Sequence, residues 1–248
     1  MSETWWTRSG GAPAIASARA EHLAALLKFV RAHSAHYRDR WRDVPAGAPL
    51  ETFPVVTKCE LMDEFDRWVT EPSLTRAGVE AFLADRAHIG ERFLGRYAVW
   101  KSSGTSGEPG IFVQDAAALS TYDAMIAVQL GAARLGERYA SGVFGQGGKA
   151  ALVAARDDHY ASIVSWERLT HASPWPSTKS FSVLDPLPLL VKGLNAYQPA
   201  FVASYPTMLM LLAEERAAGR LDIAPALLWS GGMKIGRASC RERVCHNV

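Results

Sequence analysis

The stretch "KSSGTSGEPG", residues 101–110, concentrates the residue types that hold an anion. Ser102, Ser103, Thr105 and Ser106 supply hydroxyl donors, and Gly104, Gly107 and Gly110 let backbone N–H groups turn toward one point. The plainer reading of the same composition is a hairpin turn, since Ser, Gly and Pro mark turns of every kind. The two readings are compatible, because a tight glycine-rich turn is what presents several N–H groups to one phosphate. The stretch follows the aromatic, β-branched "RYAVW" and precedes "GIFVQ", so two short strands must position it.

Other nucleotide-binding patterns fit less well. A Walker-type loop needs G-x4-G-K-[ST] opening a helix, whereas Gly104 and Gly107 are closer together and a strand follows. Gly145, Gly147, Gly148 and Lys149 in "GVFGQGGKAALVAA" match neither that spacing nor G-x-G-x-x-G, and read as a turn at a strand end. In "DDHYASIVSW", His159, Tyr160 and Trp166 are candidates for lining a small-molecule pocket, as is Tyr205. The alternative for all of these is simple core packing beside a central strand. Asp157 and Asp158 read as a solvated turn rather than a cation site. His22, His33 and His36 lack a carboxylate or cysteine set to complete a metal site, and no metal ligand is assigned.

The flanking elements follow from periodicity. Leu23, Leu26, Leu27, Val30, Ser34, Tyr37 and Trp41 share one helical face, which predicts a single helix over 14–41. Thr57 with Glu60 three residues on forms a capping-box pattern, followed by an apolar face of Leu61, Phe65, Trp68 and Val69. A further helix is expected over roughly 75–88. Beyond the glycine loop, Asp115 is placed to cap a helix that begins at Ala116. Short apolar runs then follow, namely "GVF", "ALVAA", "ASIVSW", "FSVLD", "AFVAS" and "ALLWS", with helical "PLPLLVKGLNAY" and "PTMLMLLAEERAAG" among them. Apolar strands alternating with helices predict an α/β fold: a helical N-terminal region over 1–95, then a largely parallel sheet flanked by helices over 96–233.

Residues 234–248 form a third segment without hydrophobic periodicity. "IGRASCRERV", 235–244, reads at all ten positions as a translated sequencing adaptor, so the expectation is a non-native tail. Without 235–248, Lys plus Arg falls from 27 to 24 and Asp plus Glu from 25 to 24, so the net charge falls from +2 to zero. A neutral chain points to no nucleic-acid or anionic-membrane partner. Cys240 and Cys245 leave with the tail, and a lone Cys59 fits a reducing compartment rather than a disulfide framework. No apolar run approaches the roughly 18 residues of a membrane span, and the N-terminus has no secretory pattern. A cytoplasmic protein is expected.

With these residues in place, "WKSSGTSGEPGIFV" resembles the phosphate-binding signature of the adenylate-forming superfamily, the acyl-CoA synthetases and their relatives. "FPVVTKCELMD", "ASYPTMLMLLAEERAAGRL" and "ALLWSGG" are similar, in order and spacing, to segments of its phenylacetate–CoA ligase branch. The resemblance covers roughly residues 52–233. It implies an enzyme that uses ATP and Mg²⁺ to convert a small carboxylic acid into an acyl-adenylate, then passes the acyl group to a thiol, usually coenzyme A. It further implies that Ser102, Ser103, Gly104, Thr105, Ser106 and Gly107 cradle the β- and γ-phosphates. Pro109 would stiffen the loop exit, Gly231 and Gly232 would lie near the adenine, and His159, Tyr160 and Tyr205 would border the acyl pocket. Met233 stands where the family carries Glu, and the ribose-binding Asp and the small C-terminal domain with its Lys are missing. The expectation is therefore an inactive N-terminal portion of such a ligase. Two alternatives remain open: a non-catalytic nucleotide- or partner-binding module of the same fold, and an enzyme whose acyl acceptor is an amine or carrier protein.

Overall fold

Thr57 opens a helix through two reciprocal hydrogen bonds. Its Oγ1 accepts from the Glu60 N–H at 3.3 Å, and the Glu60 carboxylate accepts from the Thr57 N–H at 2.9 Å, a complete capping box. The computed structural model describes residues 7–102, 109–132, 142–143, 145–172 and 177–231. The chain divides into two units, Met1–Gln129 and Leu130–Val248.

The first unit begins with α1 (Gly11–His33) and α2 (Ala35–Arg40). The single helix expected over 14–41 is therefore broken at Ser34. That residue is extended at φ −102°, and its hydroxyl accepts from the Tyr37 N–H and donates to the Arg67 carbonyl at 3.3 Å. Such side-chain bonds to backbone compete with helix continuation. The expected apolar face is buried only at its C-terminal end, at Ser34 and Trp41, while no residue of α1 is buried and Leu26 is 55% exposed. Periodicity identifies an apolar stripe, but a second element has to cover it.

Next come α3 (Lys58–Asp63), α4 (Phe65–Trp68) and α5 (Arg76–Ala84). The expected helix to residue 88 ends early because Asp85 is extended and its carboxylate accepts from the Ala87 N–H, starting a separate 3₁₀ turn over Arg86–His88. Strands β1 (Ala98–Lys101) and β2 (Ile111–Gln114) pair antiparallel, with Ala98 opposite Gln114 and Lys101 opposite Ile111. Met62, Phe65, Leu74, Val79, Leu83, Tyr97, Val99 and Ile111 make one buried cluster that fixes this hairpin to α3, α4 and α5. Asp115 caps α6 (Ala116–Ala132) by accepting from the Ala118 N–H at 2.8 Å.

The second unit is the parallel α/β layer that the apolar runs predict. Its strands β3 (Lys149–Ala154), β4 (Ser177–Ser182), β5 (Phe201–Ser204) and β6 (Leu227–Ser230) lie in the order β4-β3-β5-β6, every pair parallel. Helices α7 (Ala161–Ala172), α8 (Leu187–Tyr197) and α9 (Pro206–Ala217) alternate with them. β3 is buried at five consecutive positions from Ala150 to Ala154, as a central parallel strand must be. Its core continues through Phe181, Leu190, Leu194, Val202, Leu212 and Ile223. Pro206 opens α9 and Gly219, at φ +72°, ends it, both as expected.

Three runs differ from the expectation. Of "FSVLD" only Phe181 and Ser182 lie in β4, which starts upstream at Ser177, and Val183 and Leu184 form the turn after it. "ASIVSW" forms the first half of α7 rather than a strand, with Ile163 and Val164 buried. A short apolar run looks the same in a buried helix as in a buried strand. In "GVF", Gly142 and Val143 belong to a helical turn, and Phe144 lies outside the described residues. The chain then turns through Gly147 (φ +85°) and Gly148 (φ +64°), whose N–H donates to the Val143 carbonyl at 2.8 Å, and enters β3.

Candidate functional site

The glycine loop is the tip of the β1–β2 hairpin. Ser102 and Gly110 flank it and close it twice: the Ser102 N–H donates to the Gly110 carbonyl at 2.9 Å, and the Gly110 N–H donates to Ser102 Oγ at 2.8 Å. The second bond uses Oγ as an acceptor. Its own proton is then directed away from Gly110, where a hydroxyl of this kind can donate to an anion. Ser103, Gly104, Thr105, Ser106 and Gly107 lie outside the described residues. What the structure adds is the frame that carries them, a hairpin neck held by buried β-strand residues on both sides.

The neck is built from three chain segments. Ile111 donates its N–H to Met62 Sδ at 3.3 Å, which ties β2 to α3. Lys58, the first residue of α3, lies so close to Gly110 that a Cβ there would sit 3.2 Å from Lys58 Cδ and 3.3 Å from Phe112 Cε2. A side chain at 110 would need Lys58 and Phe112 to give by a few tenths of an ångström. The contact between Lys58 and the loop exit was not foreseen; the only local signal was the basic residue that follows the Thr57 cap. Arg76 and Lys101 also reach this region, beside Pro109, around a cleft of about 210 Å³.

In the second unit, His159, Tyr160, Tyr205 and Gly231 all fall at the carboxyl end of the sheet. β3 is followed by β4 on one side and β5 on the other, so the chain reverses its direction of travel between β3 and β5. Open parallel sheets bind ligands in the crevice at such a switch point. The register places Val153 opposite Ser204 and Ser204 opposite Ser230, so these three strands end level. Ser204 Oγ donates to the Val153 carbonyl at 2.7 Å, and the Gly231 N–H donates to the Ser204 carbonyl at 3.1 Å. Tyr205 follows β5 directly, and its phenol stands 3.5 Å from Ser162 Oγ in the first turn of α7.

His159 is fully buried and Tyr160 half-buried in the turn between β3 and α7. The Asp158 carboxylate accepts from the His159 N–H at 2.7 Å and its carbonyl from the Tyr160 N–H at 2.8 Å, so Asp158 shapes the turn instead of being simply solvated. Asp157 is likewise half-buried. Trp166 lies on α7 and is half-buried. Gly232 is outside the described residues. His36 is buried, with Nδ1 3.0 Å from Glu64 Oε2. That bond is the main reason the Glu64 carboxyl is held below its usual range.

No protein-family model matches the sequence, and no curated protein matches it. Among solved structures, the chain is similar to an open conformation of 2-hydroxyisobutyryl-CoA ligase in complex with 2-HIB-AMP and CoA. The TM-score is 0.46 at 19% identity, over 86% of this chain and 43% of that one. The same ligase in the postadenylation state with R3-HIB-AMP gives 0.44 at 19% identity, over 85% and 41%. In the thioesterification state with 2-HIB-AMP and CoA it gives 0.42 at 20% identity, over 80% and 39%. The chain spans about two fifths of the length of these ligase structures. Among the described residues, no helix is long and apolar enough to cross a membrane.

Proposed function

We propose that this chain carries the phosphate-binding portion of an ATP-dependent carboxylic acid–thiol ligase of the phenylacetate–CoA ligase type. The observation that carries the reading is the locked hairpin neck. The Ser102–Gly110 bond pair closes the neck and fixes Ser102 before any ligand arrives, and a donor set in advance is what a transferring phosphoryl group requires. In this reading a carboxylate oxygen of the acid attacks the α-phosphorus of ATP. The bond to the β-phosphate oxygen breaks, pyrophosphate leaves, and a thiol such as that of coenzyme A later displaces AMP from the acyl-adenylate.

The chain's own residues would divide the work. Ser102, Ser103, Thr105 and Ser106 with the glycine N–H groups would hold the β- and γ-phosphates. Gly231 and Gly232 would leave room for the adenine, and His159, Tyr160 and Tyr205 would border the acid. Mg²⁺ would arrive on the nucleotide's phosphates, as it commonly does where few protein ligands are supplied. Orientation of the two reactants is the main contribution such a site can make.

ATP titration of the chain, with Ser103→Ala and Thr105→Val variants, tests the reading, and acid-dependent ATP–pyrophosphate exchange tests the chemistry. The expected result is ATP affinity that falls at least tenfold in both variants. Affinity indifferent to both substitutions would remove the phosphate-loop reading. Loop-dependent binding without exchange for any carboxylic acid would instead support a nucleotide-binding module, and exchange without transfer to coenzyme A would support an amine or carrier-protein acceptor.

A further inference from the structure

A cleft of about 380 Å³ lies in the second unit, between α8 and the end of α9. That volume falls in the range of roughly 300–1,000 Å³ typical of small-molecule sites. One wall is a stripe of α8, with Leu187, Pro188, Val191, Lys192 and Asn195 at i, i+1, i+4, i+5 and i+8. At about 1.5 Å per residue the stripe runs ~12 Å. It is apolar over Leu187, Pro188 and Val191 and polar from Lys192 onward. Val191 is 5% exposed and belongs to the core cluster, so the apolar part has a fixed floor. The facing wall is Glu215 on α9 and Arg220 after it. The polar end is pinned to that wall: Asn195 Nδ2 donates to the Arg220 carbonyl at 2.9 Å, and the Asp222 N–H donates to Asn195 Oδ1 at 2.8 Å. Glu215 is buried and accepts from Arg220 at 2.6 and 2.8 Å, so these two charges cancel. Lys192 is exposed, and among the described residues no carboxylate stands within ion-pair distance of it. The cleft thus sets one ammonium group without a counter-charge at the end of an apolar stripe.

We propose that this cleft binds an alkyl monocarboxylate of medium chain length, with its carboxylate on Lys192 and its tail along Val191, Pro188 and Leu187. A single ammonium matches a single negative charge, and a hydrogen bond between two ionised groups is stronger than a neutral one. A polyanion would leave charge unmatched, and a neutral alkyl chain would leave Lys192 unused. The apolar part spans little more than one helical turn, which suits a short run of methylenes rather than the face of a partner helix. The proposal does not rest on the nucleotide reading, since none of these residues is assigned to ATP or to the reacting acid there.

The test is calorimetric titration of the full chain with octanoate, with butyrate, hexanoate and octan-1-ol as comparators. Methyl NMR of Leu187 and Val191 places the ligand. The variants are Lys192→Gln, Lys192→Arg, Leu187→Ser and Tyr205→Phe, each checked for an unchanged melting temperature. Octanoate is expected to bind wild type and to shift the methyl signals of both residues. Affinity should rise several-fold from butyrate to hexanoate, as it does when added methylenes leave water. Lys192→Gln should weaken octanoate at least fivefold, Leu187→Ser several-fold and Lys192→Arg less than twofold. Octan-1-ol should bind more weakly than octanoate, and Tyr205→Phe should leave octanoate affinity unchanged. Affinity that follows Tyr205 and not Lys192 would put the ligand at the carboxyl end of the sheet and overturn the proposal. So would no binding, an unweakened Lys192→Gln, or octan-1-ol binding as tightly as octanoate.

Discussion

Replacing Ser102 with alanine removes one hydroxyl and tests whether the loop's neck is locked in the way described. Ser102 Oγ is the acceptor for the Gly110 N–H at 2.8 Å, and Gly110 is buried. A neutral hydrogen bond of this kind contributes about 1 kcal/mol net, and leaving a buried N–H without a partner costs about 1–3 kcal/mol. The parallel bond from the Ser102 N–H to the Gly110 carbonyl survives the substitution, so the lower half of that range applies, about 1.5 kcal/mol. Local opening of the neck should then become roughly tenfold more frequent, since about 1.4 kcal/mol is a factor of ten. Native-state amide exchange read at Gly110 reports this directly, because opening of the neck exposes that N–H. The amides of β1 and β2 nearer the core cluster should keep their protection, and Ser102→Thr, which keeps the hydroxyl, should restore most of the protection at Gly110. ATP affinity in Ser102→Ala should fall several-fold, since the Ser102 hydroxyl and the neck bond it accepts are both lost. Unchanged exchange at Gly110 in Ser102→Ala would refute the locked-neck argument, whatever the effect on ATP.

Two further outcomes follow from packing and charge. Gly193 lies in α8 where a Cβ would stand 2.9 Å from Phe181 Cε1 on β4, so Gly193→Ala should destabilise the second unit by about 1–3 kcal/mol through overpacking, measured by urea unfolding. Glu215 accepts from Arg220 Nε at 2.6 Å and from Nη2 at 2.8 Å, and these bonds hold its carboxyl below the ordinary value of 4.5. A carboxyl whose folded-state pKa is depressed contributes stability that is present above its unfolded value and lost as pH falls through the folded one. Stability measured from pH 7 downward should therefore decline below about pH 4.5, and Glu215→Gln should flatten that part of the profile while lowering stability at pH 7.

Features that depend on neighbours in the chain were legible without coordinates. The capping box at Thr57 and Glu60, the Asp115 cap, and Pro206 and Gly219 at the ends of α9 all rest on contacts within a few residues, and the two strands around the glycine loop on one hairpin. The alternation of apolar strands and helices likewise foretold a parallel α/β layer, because strands buried on both faces must be apolar at every position. The break at Ser34 and the helical state of "ASIVSW" escaped the same reading. In the first, a single hydroxyl bonded to Arg67 competes with periodicity. In the second, an apolar run serves either state equally, and its place in the fold decides between them.

What only the tertiary structure decided are the meetings of residues far apart in sequence. Met62 and Ile111 meet across 49 residues, Lys58 comes to lie against Gly110, and Arg76, Lys101 and Pro109 share one cleft. The strand order β4-β3-β5-β6 gathers His159, Tyr160, Tyr205 and Gly231 at one edge of the sheet. Residue types announce what chemistry is available, because donors, charges and glycines keep their character in any fold. Which of them act together is set by long-range packing, where each contact depends on how the whole core closes and no local pattern records it.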